Sequence, residues 1–271
     1  MGQSQGQTLQ VVGGGKMGQA LVGGLIEAGW AEPSDLTIVE VLADQRDRLT
    51  GMFPGVNVVG TPIDGESDGG IDTLLAVKPH FVVDVCAGLT APGRVISIAA
   101  GITIATIEAA LPAGTPVIRV MPNTPALVGA GVSGLAAGTN ATDADLDWAV
   151  AVLGAVGETV VVTEAQLDAV TGMSGSGPAY IFLVAEAMTD AGVRYGLPRP
   201  IAAKLAINTI NGAGRLMTET GTDPVELRAA VTTPAGTTAA GLAALEDHGL
   251  RAAFSAAVGA ATDRSIELGR G

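Results

Sequence analysis

Along the first half of the chain, apolar residues come in short runs of four or five. The stretches between these runs repeat their apolar positions at helical spacing. The runs predict buried strands at Leu9–Val12, Leu36–Val39, Val56–Val59, Thr73–Val77, Val95–Ile98 and Pro116–Val120. Between the first two, Gly18–Ala28 reads as a helix closed by Gly29, and a charged helical stretch after the second strand runs through Leu49. Strands alternating with helices predict βαβ units and a mainly parallel sheet. After about Thr163 the pattern changes. Helices are predicted at Tyr180–Ala191, closed by Gly192, and at Arg199–Met217. Asp223-Pro224-Val225-Glu226 reads as a capping box with Pro at the first helical position, opening a helix to Val231. Two more helices follow, Ala239–Asp247 and Leu250–Leu268, and no strand-like alternation interrupts them.

Composition narrows the class of protein. A chain of 271 residues with 48% apolar and only 3% aromatic residues has ample core, built from Ala, Val, Leu and Ile. Its 39 glycines show no collagen-like or low-complexity period. A formal charge of −13 repels nucleic acid and anionic membrane surfaces, so neither is expected as a partner. The one cysteine, Cys86, allows no internal disulfide and suits a cytoplasmic location. Met1–Thr8 is a polar tail without the basic-then-apolar order of a signal peptide, and apolar runs break well before 18 residues.

The first chemical signal is Gly13-Gly14-Gly15-Lys16-Met17-Gly18, set between the first strand and the first helix. Gly13 permits the tight turn, Gly15 lets backbone approach a pyrophosphate, and Gly18 packs helix on strand, with the helix N-terminus facing the phosphates. In this strand–turn–helix context the motif points to a Rossmann-like dinucleotide-binding domain. The fold class is therefore α/β: a mainly parallel sheet over residues 1–163, followed by an all-α domain over 164–271. Glu40, at the end of the second strand, is placed to accept from an adenosine ribose hydroxyl, which favours NADH. Arg46 and Arg48 follow closely and favour NADPH if they meet a 2′-phosphate; otherwise they line a solvated helix face. Cofactor preference stays open between the two.

Further signals fall at successive strand ends, where ligands of open α/β sheets bind. They are Ala76-Val77-Lys78-Pro79, Ala99-Ala100-Gly101-Ile102 and Arg119-Val120-Met121-Pro122-Asn123-Thr124-Pro125. Lys78 would neutralise a phosphate or fix a ribose. In the second half, Val231-Thr232-Thr233-Pro234-Ala235-Gly236-Thr237-Thr238 is a hydroxyl-rich loop before a helix start. Such a loop either holds a small anion or is an ordinary loop with a Thr cap.

These motifs, with Ser174-Gly175-Ser176-Gly177-Pro178-Ala179-Tyr180 between them, occur in the order seen in pyrroline-5-carboxylate reductases, and the chain resembles that family over nearly its whole length. The resemblance implies reduction of 1-pyrroline-5-carboxylate to L-proline, the last step of proline biosynthesis, with NADPH or NADH. It implies that Thr238 donates a hydrogen bond to the ring nitrogen, while Thr233, Gly236 and Thr237 hold the substrate carboxylate, largely through backbone N–H groups. Glu164 corresponds to a glutamate near the substrate region in the family, or else is a surface carboxylate. The resemblance also implies interlocking helical domains in a homodimer or higher oligomer. Two departures stand out. The usual Pro-Gly-Gly is Pro234-Ala235-Gly236 here, a strain on the order of 1 kcal/mol if position 235 needs a positive φ. Lys16 replaces the Asn or Ser found in many relatives.

Two other readings compete. A 3-hydroxyacid-type dehydrogenase shares the two-part layout, but Lys204, in an Ala-rich helix, lacks the context of that group's catalytic lysine. A non-catalytic NAD(P)-sensing dimer would not need the Thr233–Thr238 loop. His80 is expected to start a helix at the rim and His248 to end one, where it meets the helix dipole. No His/Cys/Asp cluster has ligand spacing, so no metal site is expected. Phe182, Val184 and Met188 read as core or as a subunit contact.

Overall fold

The apolar runs become the centre of one eight-stranded sheet in this computed structural model, which describes residues 8–63 and 70–269. The polar N-terminal tail and most of the Gly/Asp-rich stretch from Asp64 lie outside the described residues. The strands are β1 (Leu9–Val12), β2 (Leu36–Val39), β3 (Asn57–Val59), β4 (Ile71–Leu75), β5 (Pro92–Ser97), β6 (Val117–Met121), β7 (Gly131–Ala137) and β8 (Gly157–Val161). Their order is β3-β2-β1-β4-β5-β6-β7-β8, parallel throughout except where β7 runs antiparallel to β6. The first six follow the strand order of a doubly wound dinucleotide-binding sheet, with the order reversing between β1 and β4.

Both faces of this sheet are covered, which is why the strands read as unbroken apolar runs. Val11, Ile38, Leu74 and Ile96 face one side, packing with Leu21, Val22 and Leu25 of α1 (Lys16–Glu27). Leu49 of α2 (Ala43–Met52) joins the same cluster. Their neighbours Val12, Val39, Leu75 and Val95 face the other side. There they meet Val82 and Cys86 of α3 (Val82–Ala87) and Ile104 and Ile107 of α4 (Ile104–Ala110). Burial pushes the Cys86 thiol up from the ordinary 9.0 to about 11.

The apolar pattern marks no element between Pro125 and Thr163, yet β7, α5 (Asp143–Gly154) and β8 lie there. Helix α5 starts on a reciprocal cap: Asp145 N donates to Thr142 Oγ1 (3.3 Å) and Thr142 N to Asp145 Oδ2 (2.8 Å). Its Trp148, Val152 and Leu153 complete the first cluster.

The remaining helices are α6 (Leu167–Val170), continued by a π-turn over Thr171–Gly175, then α7 (Gly177–Arg194), α8 (Arg199–Thr220), α9 (Pro224–Ala230), α10 (Thr237–Asp247) and α11 (Leu250–Leu268). The chain forms two compact units: residues up to Ser176 with those from Ala260 onward, and Gly177–Gly259. Within the first, Ser265 Oγ donates to Asp168 Oδ1 (2.7 Å), and Leu268 packs beside Gly101.

In the second unit the helix predicted to close at Gly192 continues to Arg194. It ends at Gly196 (φ +94°), with Leu197 N–H bonded back to the Gly192 carbonyl at 3.0 Å. Gly192 serves packing instead: a Cβ there would lie 3.0 Å from Ala202 Cβ of α8. Asp223 caps α9 by accepting from Val225 N (2.7 Å), with Pro224 in the first helical position. Ile181, Phe182, Leu183, Met188, Leu205 and Ile207 of α7 and α8 are exposed on the single chain, so the Phe182–Met188 stripe is not core. Among the described residues, no helix is long and apolar enough to cross a membrane.

Candidate active site

The strand order reverses between β1 and β4, and the loops leaving the carboxyl ends of these two neighbours border the same crevice. After β1 comes the glycine loop. Gly13 holds φ +112°, and a Cβ there would lie 2.6 Å from the Ala76 carbonyl oxygen after β4, so only glycine closes this turn. Gly18 faces the Gly13 carbonyl with no room for a Cβ, which lets α1 approach β1. Gly15, the residue before α1, faces open space: a Cβ there would meet nothing within 4 Å. Lys16 is exposed at the first helical position, and Met17 is half-buried behind it. The early N–H groups of α1 have no partner inside the helix, because its first intrahelical acceptor, the Gly15 carbonyl, takes Gln19 N (2.9 Å). Gln19 also donates from Nε2 to the Gly14 carbonyl (2.6 Å), bracing the loop from below.

Glu40 follows β2 and is fixed at both carboxylate oxygens. Oε2 accepts from Gly14 N (3.2 Å) and Oε1 from Leu42 N (3.0 Å). Arg46 donates from Nη1 to the carbonyls of Glu40 and Val41, 2.9 Å each, so it clamps the turn. Arg48 is exposed on α2.

Across the reversal, Ala76 N donates to the Val12 carbonyl (2.8 Å), tying the β4 exit to the start of the glycine loop. Val77 is half-buried, while Lys78 and Pro79 are exposed at the start of a short 3-10 turn, Pro79–Phe81. His80 lies in that turn with its ring against Phe81, centroids 4.1 Å apart. After β5, Ala99 is buried, Ala100 exposed, and Gly101 turns the chain at φ +76°.

Arg119, in β6, is buried, and its Nη1 meets Glu164 Oε1 at 2.9 Å. The same oxygen accepts Ile104 N (2.7 Å) at the start of α4. Glu164 thus joins β6, α4 and the segment after β8. Asn123 plays a similar part, accepting Val132 N at Oδ1 (3.0 Å) and donating from Nδ2 to Ser174 Oγ (3.3 Å). The sequence reading did not assign Gln19 and Asn123 roles of their own. Gln19 directly follows Gly18, the last glycine of the motif, and Asn123 lies between Pro122 and Pro125; those positions are the available signals.

In the second unit, α10 begins at Thr237, two residues earlier than the apolar pattern indicates, so Thr237 and Thr238 belong to its first turn. Gly236 is the residue before the helix; its N–H closes on the Thr233 carbonyl (3.0 Å), and a Cβ there would collide with Thr233 Oγ1. Among the described residues, Ala235 is the one non-glycine with a positive φ, +57°. Position 235 therefore does require the left-handed conformation, and Ala carries the strain. Thr232 Oγ1 donates to the Arg228 carbonyl (2.6 Å), anchoring the entry to the loop. The N–H groups of Thr237, Thr238 and Ala239 precede the first intrahelical bond, Ala240 N to the Gly236 carbonyl (3.2 Å). At the far end of α10, His248 Nδ1 lies 2.8 Å from the Ala244 carbonyl.

Residues 164–268 match the family model described as pyrroline-5-carboxylate reductase dimerisation, and residues 8–101 match NADP oxidoreductase coenzyme F420-dependent. The pyrroline-5-carboxylate reductase of Corynebacterium melassecola is 44% identical over 270 residues, covering 97% of this chain and 99% of that one. A pyrroline-5-carboxylate reductase structure from Coxiella burnetii superposes with a TM-score of 0.89 at 34% identity, covering 97% of this chain and 99% of that one. The Plasmodium falciparum pyrroline carboxylate reductase, solved with NADP bound, gives 0.82 at 28% identity, covering 99% and 100%. With relatives this similar over almost its full length, the chain belongs to the pyrroline-5-carboxylate reductase family.

Proposed function

We propose that this chain reduces 1-pyrroline-5-carboxylate to L-proline with NADPH or NADH, the last step of proline biosynthesis. The first unit supplies the nucleotide site and the second the substrate loop. The glycine loop fits a dinucleotide. It is closed against β4 at Gly13 and open at Gly15, and α1 presents unpartnered N–H groups beside the positive charge of Lys16. Gly13, Gly15, Lys16, Met17 and Gly18 would hold the pyrophosphate, and Glu40 the adenosine ribose. Ala76–Pro79 and Ala99–Gly101 would form the opposite rim, with Lys78 offering charge. Bound there, the reduced nicotinamide supplies a hydride for the imine carbon.

What remains for the chain is to place a small anion and manage one nitrogen. The observation that carries the substrate half is the start of α10. Ala235 in the left-handed region turns the chain so that the N–H groups of Thr237 and Thr238 open a helix, where the dipole favours a carboxylate. In the proposed roles, Gly236 and Thr237 hold the carboxylate through backbone, with Thr233 beside them. The Thr238 hydroxyl meets the ring nitrogen. A hydroxyl both donates and accepts, so it serves the neutral imine and the protonated iminium alike. The iminium is already electrophilic, so most of the acceleration comes from positioning.

The exposed apolar residues of α7 and α8 support burial against a second copy, a homodimer or higher assembly; a light-scattering mass of one chain would contradict it. A lone, buried cysteine suits the cytoplasm. In the decisive assay, reduced nicotinamide is consumed on adding pyrroline-5-carboxylate, and not on adding the keto form of a 2- or 3-hydroxyacid. Thr238→Ala should lower turnover by about tenfold or more with cofactor affinity unchanged. Equal loss of both would mark Thr238 as structural, and no oxidation with either cofactor would defeat the assignment.

A further inference from the structure

The geometry points to a nucleotide cleft that selects NADH over NADPH, with Glu40 as the residue that sets the preference. This rests on the proposed function insofar as the crevice at the carboxyl ends of β1 and β4, with Glu40 of the neighbouring β2 exit at its edge, is taken as the cofactor site. The two nucleotides differ only at the adenosine 2′ position, a hydroxyl in one and a phosphate in the other. In this sheet order that position falls at the carboxyl end of β2, where Glu40 stands next to the glycine loop.

The side chain is locked in place there. Gly14 N and Leu42 N each hold one carboxylate oxygen, Glu40 N donates to the Val59 carbonyl (2.9 Å), and Arg46 holds the Glu40 carbonyl. The Gly14 position is tight against it: a Cβ there would lie 3.1 Å from Oε2. A carboxylate oxygen has acceptor capacity beyond one bond, so both can still receive ribose hydroxyls. A 2′-phosphate offers only negative charge to the same oxygens. Swinging the carboxylate aside would break both of its bonds, to Gly14 N and to Leu42 N, and leave those two N–H groups without it.

Compensating charge is scarce at this corner. The two residues directly after Glu40 are Val41 and Leu42, 77% and 66% exposed, an apolar shelf rather than a cationic one. Arg46 already spends Nη1 on two carbonyls and lies over Gly60, where a Cβ would be 3.4 Å from Nη1. Arg48 is two residues further along α2, roughly 200° around the helix from Arg46. Asp44 and Asp47, on the same helix, balance the charges of Arg46 and Arg48 and leave α2 with no formal net positive charge. The NADP held by the Plasmodium falciparum relative does not remove this local penalty.

The test is equilibrium binding to the full-length protein without substrate, by calorimetry, of NADH against NADPH and of AMP against 2′-AMP. The expected result is NADH tighter by about tenfold or more, AMP over 2′-AMP in the same direction, and a ratio that narrows with added salt. Glu40→Gln should bring the NADH/NADPH ratio close to one. Equal or tighter binding of NADPH to the unaltered protein would overturn the inference. A NADPH preference abolished by Arg46→Ala would do so too, by assigning the phosphate to Arg46. If neither nucleotide nor either fragment binds, the crevice itself is not the cofactor site. That outcome overturns the functional reading together with this one, and it is distinct from binding without preference.

Discussion

Replacing Glu164 separates two roles that the family resemblance leaves joined: substrate neighbour and internal latch. Its side chain is 35% exposed, whereas that of its partner Arg119 is 8% exposed, so the charge stranded by a deletion is the arginine's. Among the described residues, Glu164 is the acceptor recorded for that guanidinium, and it also takes the Ile104 N–H that opens α4. Glu164→Ala loses a charge-assisted bond, about 2 kcal/mol, and strands a helix-start N–H, about 1 kcal/mol more. Breaking a fully buried pair costs 3–5 kcal/mol on the usual scale, and the glutamate's exposure to water argues for the lower end, about 3 kcal/mol. For a protein of this size that is a melting shift of about 6–12 °C. Glu164→Gln keeps an acceptor oxygen and should lose only about 1 kcal/mol. Paired thermal melts and steady-state kinetics read both roles at once. A latch predicts a graded fall in melting temperature, Ala below Gln below unaltered, with KM for pyrroline-5-carboxylate within about twofold in the Gln variant. A tenfold rise in that KM with an unchanged melt would refute the latch and place Glu164 at the substrate.

Two further perturbations test the strained loop and the buried thiol. Ala235→Gly relieves a left-handed alanine, worth about 1–2 kcal/mol, against a glycine's extra unfolded-state entropy of about 0.5–1 kcal/mol. The expected net is a gain of about 0.5 kcal/mol in denaturant unfolding, and a loss of stability would show that the alanine methyl makes contacts worth more than the strain. Cys86 keeps its proton to about 11 when folded, whereas the unfolded thiol ionises near 9.0, so the unfolded state binds fewer protons between those values. Its contribution is complete below pH 9 and is lost as pH rises towards 11, on the order of 3 kcal/mol in all. Cys86→Ala should flatten that part of the pH–stability curve, and an identical slope in both proteins would assign the loss to other groups.

The doubly wound sheet was legible because a parallel sheet buried on both faces writes itself as unbroken apolar runs. Val11 and Val12, Ile38 and Val39, and Leu74 and Leu75 each send neighbouring side chains into opposite clusters. Strands β7 and β8 were not legible, for a steric reason. A Cβ at Gly131 would lie 2.8 Å from Ala126 Cβ, and one at Gly134 would lie 2.9 Å from Val170 Cγ1. The packing that makes β7 a strand forces small residues into it, which removes the bulky β-branched signal by which strands are read. Strand β8, at the sheet edge, leaves Val160 and Val161 about half exposed, so its pattern carries little periodicity. Helix α5 did have a signal, Thr142 three residues before Asp145, which the structure uses as a reciprocal cap. Gly192 shows the opposite error. A glycine at a plausible helix end was read as a stop, when its small size serves the close approach of α7 and α8.

For the candidate site, residue types were legible and partners were not. Glu40 and Arg46 read as competing recognition charges, yet the structure spends Arg46 on the backbone of the very turn that presents Glu40. Ala235 is the sharper case. Sequence could state only a conditional strain, because φ at one position depends on bonds made by its neighbours. A non-glycine residue stays in the left-handed region only where its surroundings over-determine it. Here they do: Thr232 anchors the entry through Arg228, Gly236 N–H closes the turn on Thr233, and the first turn of α10 holds the exit. A loop held at both ends has already met its ordering cost in folding, so the N–H groups it offers to an anion need little further ordering on binding. The same constraint explains why Gly236 admits no side chain, since any Cβ there meets Thr233 and would push open the turn that keeps Ala235 strained.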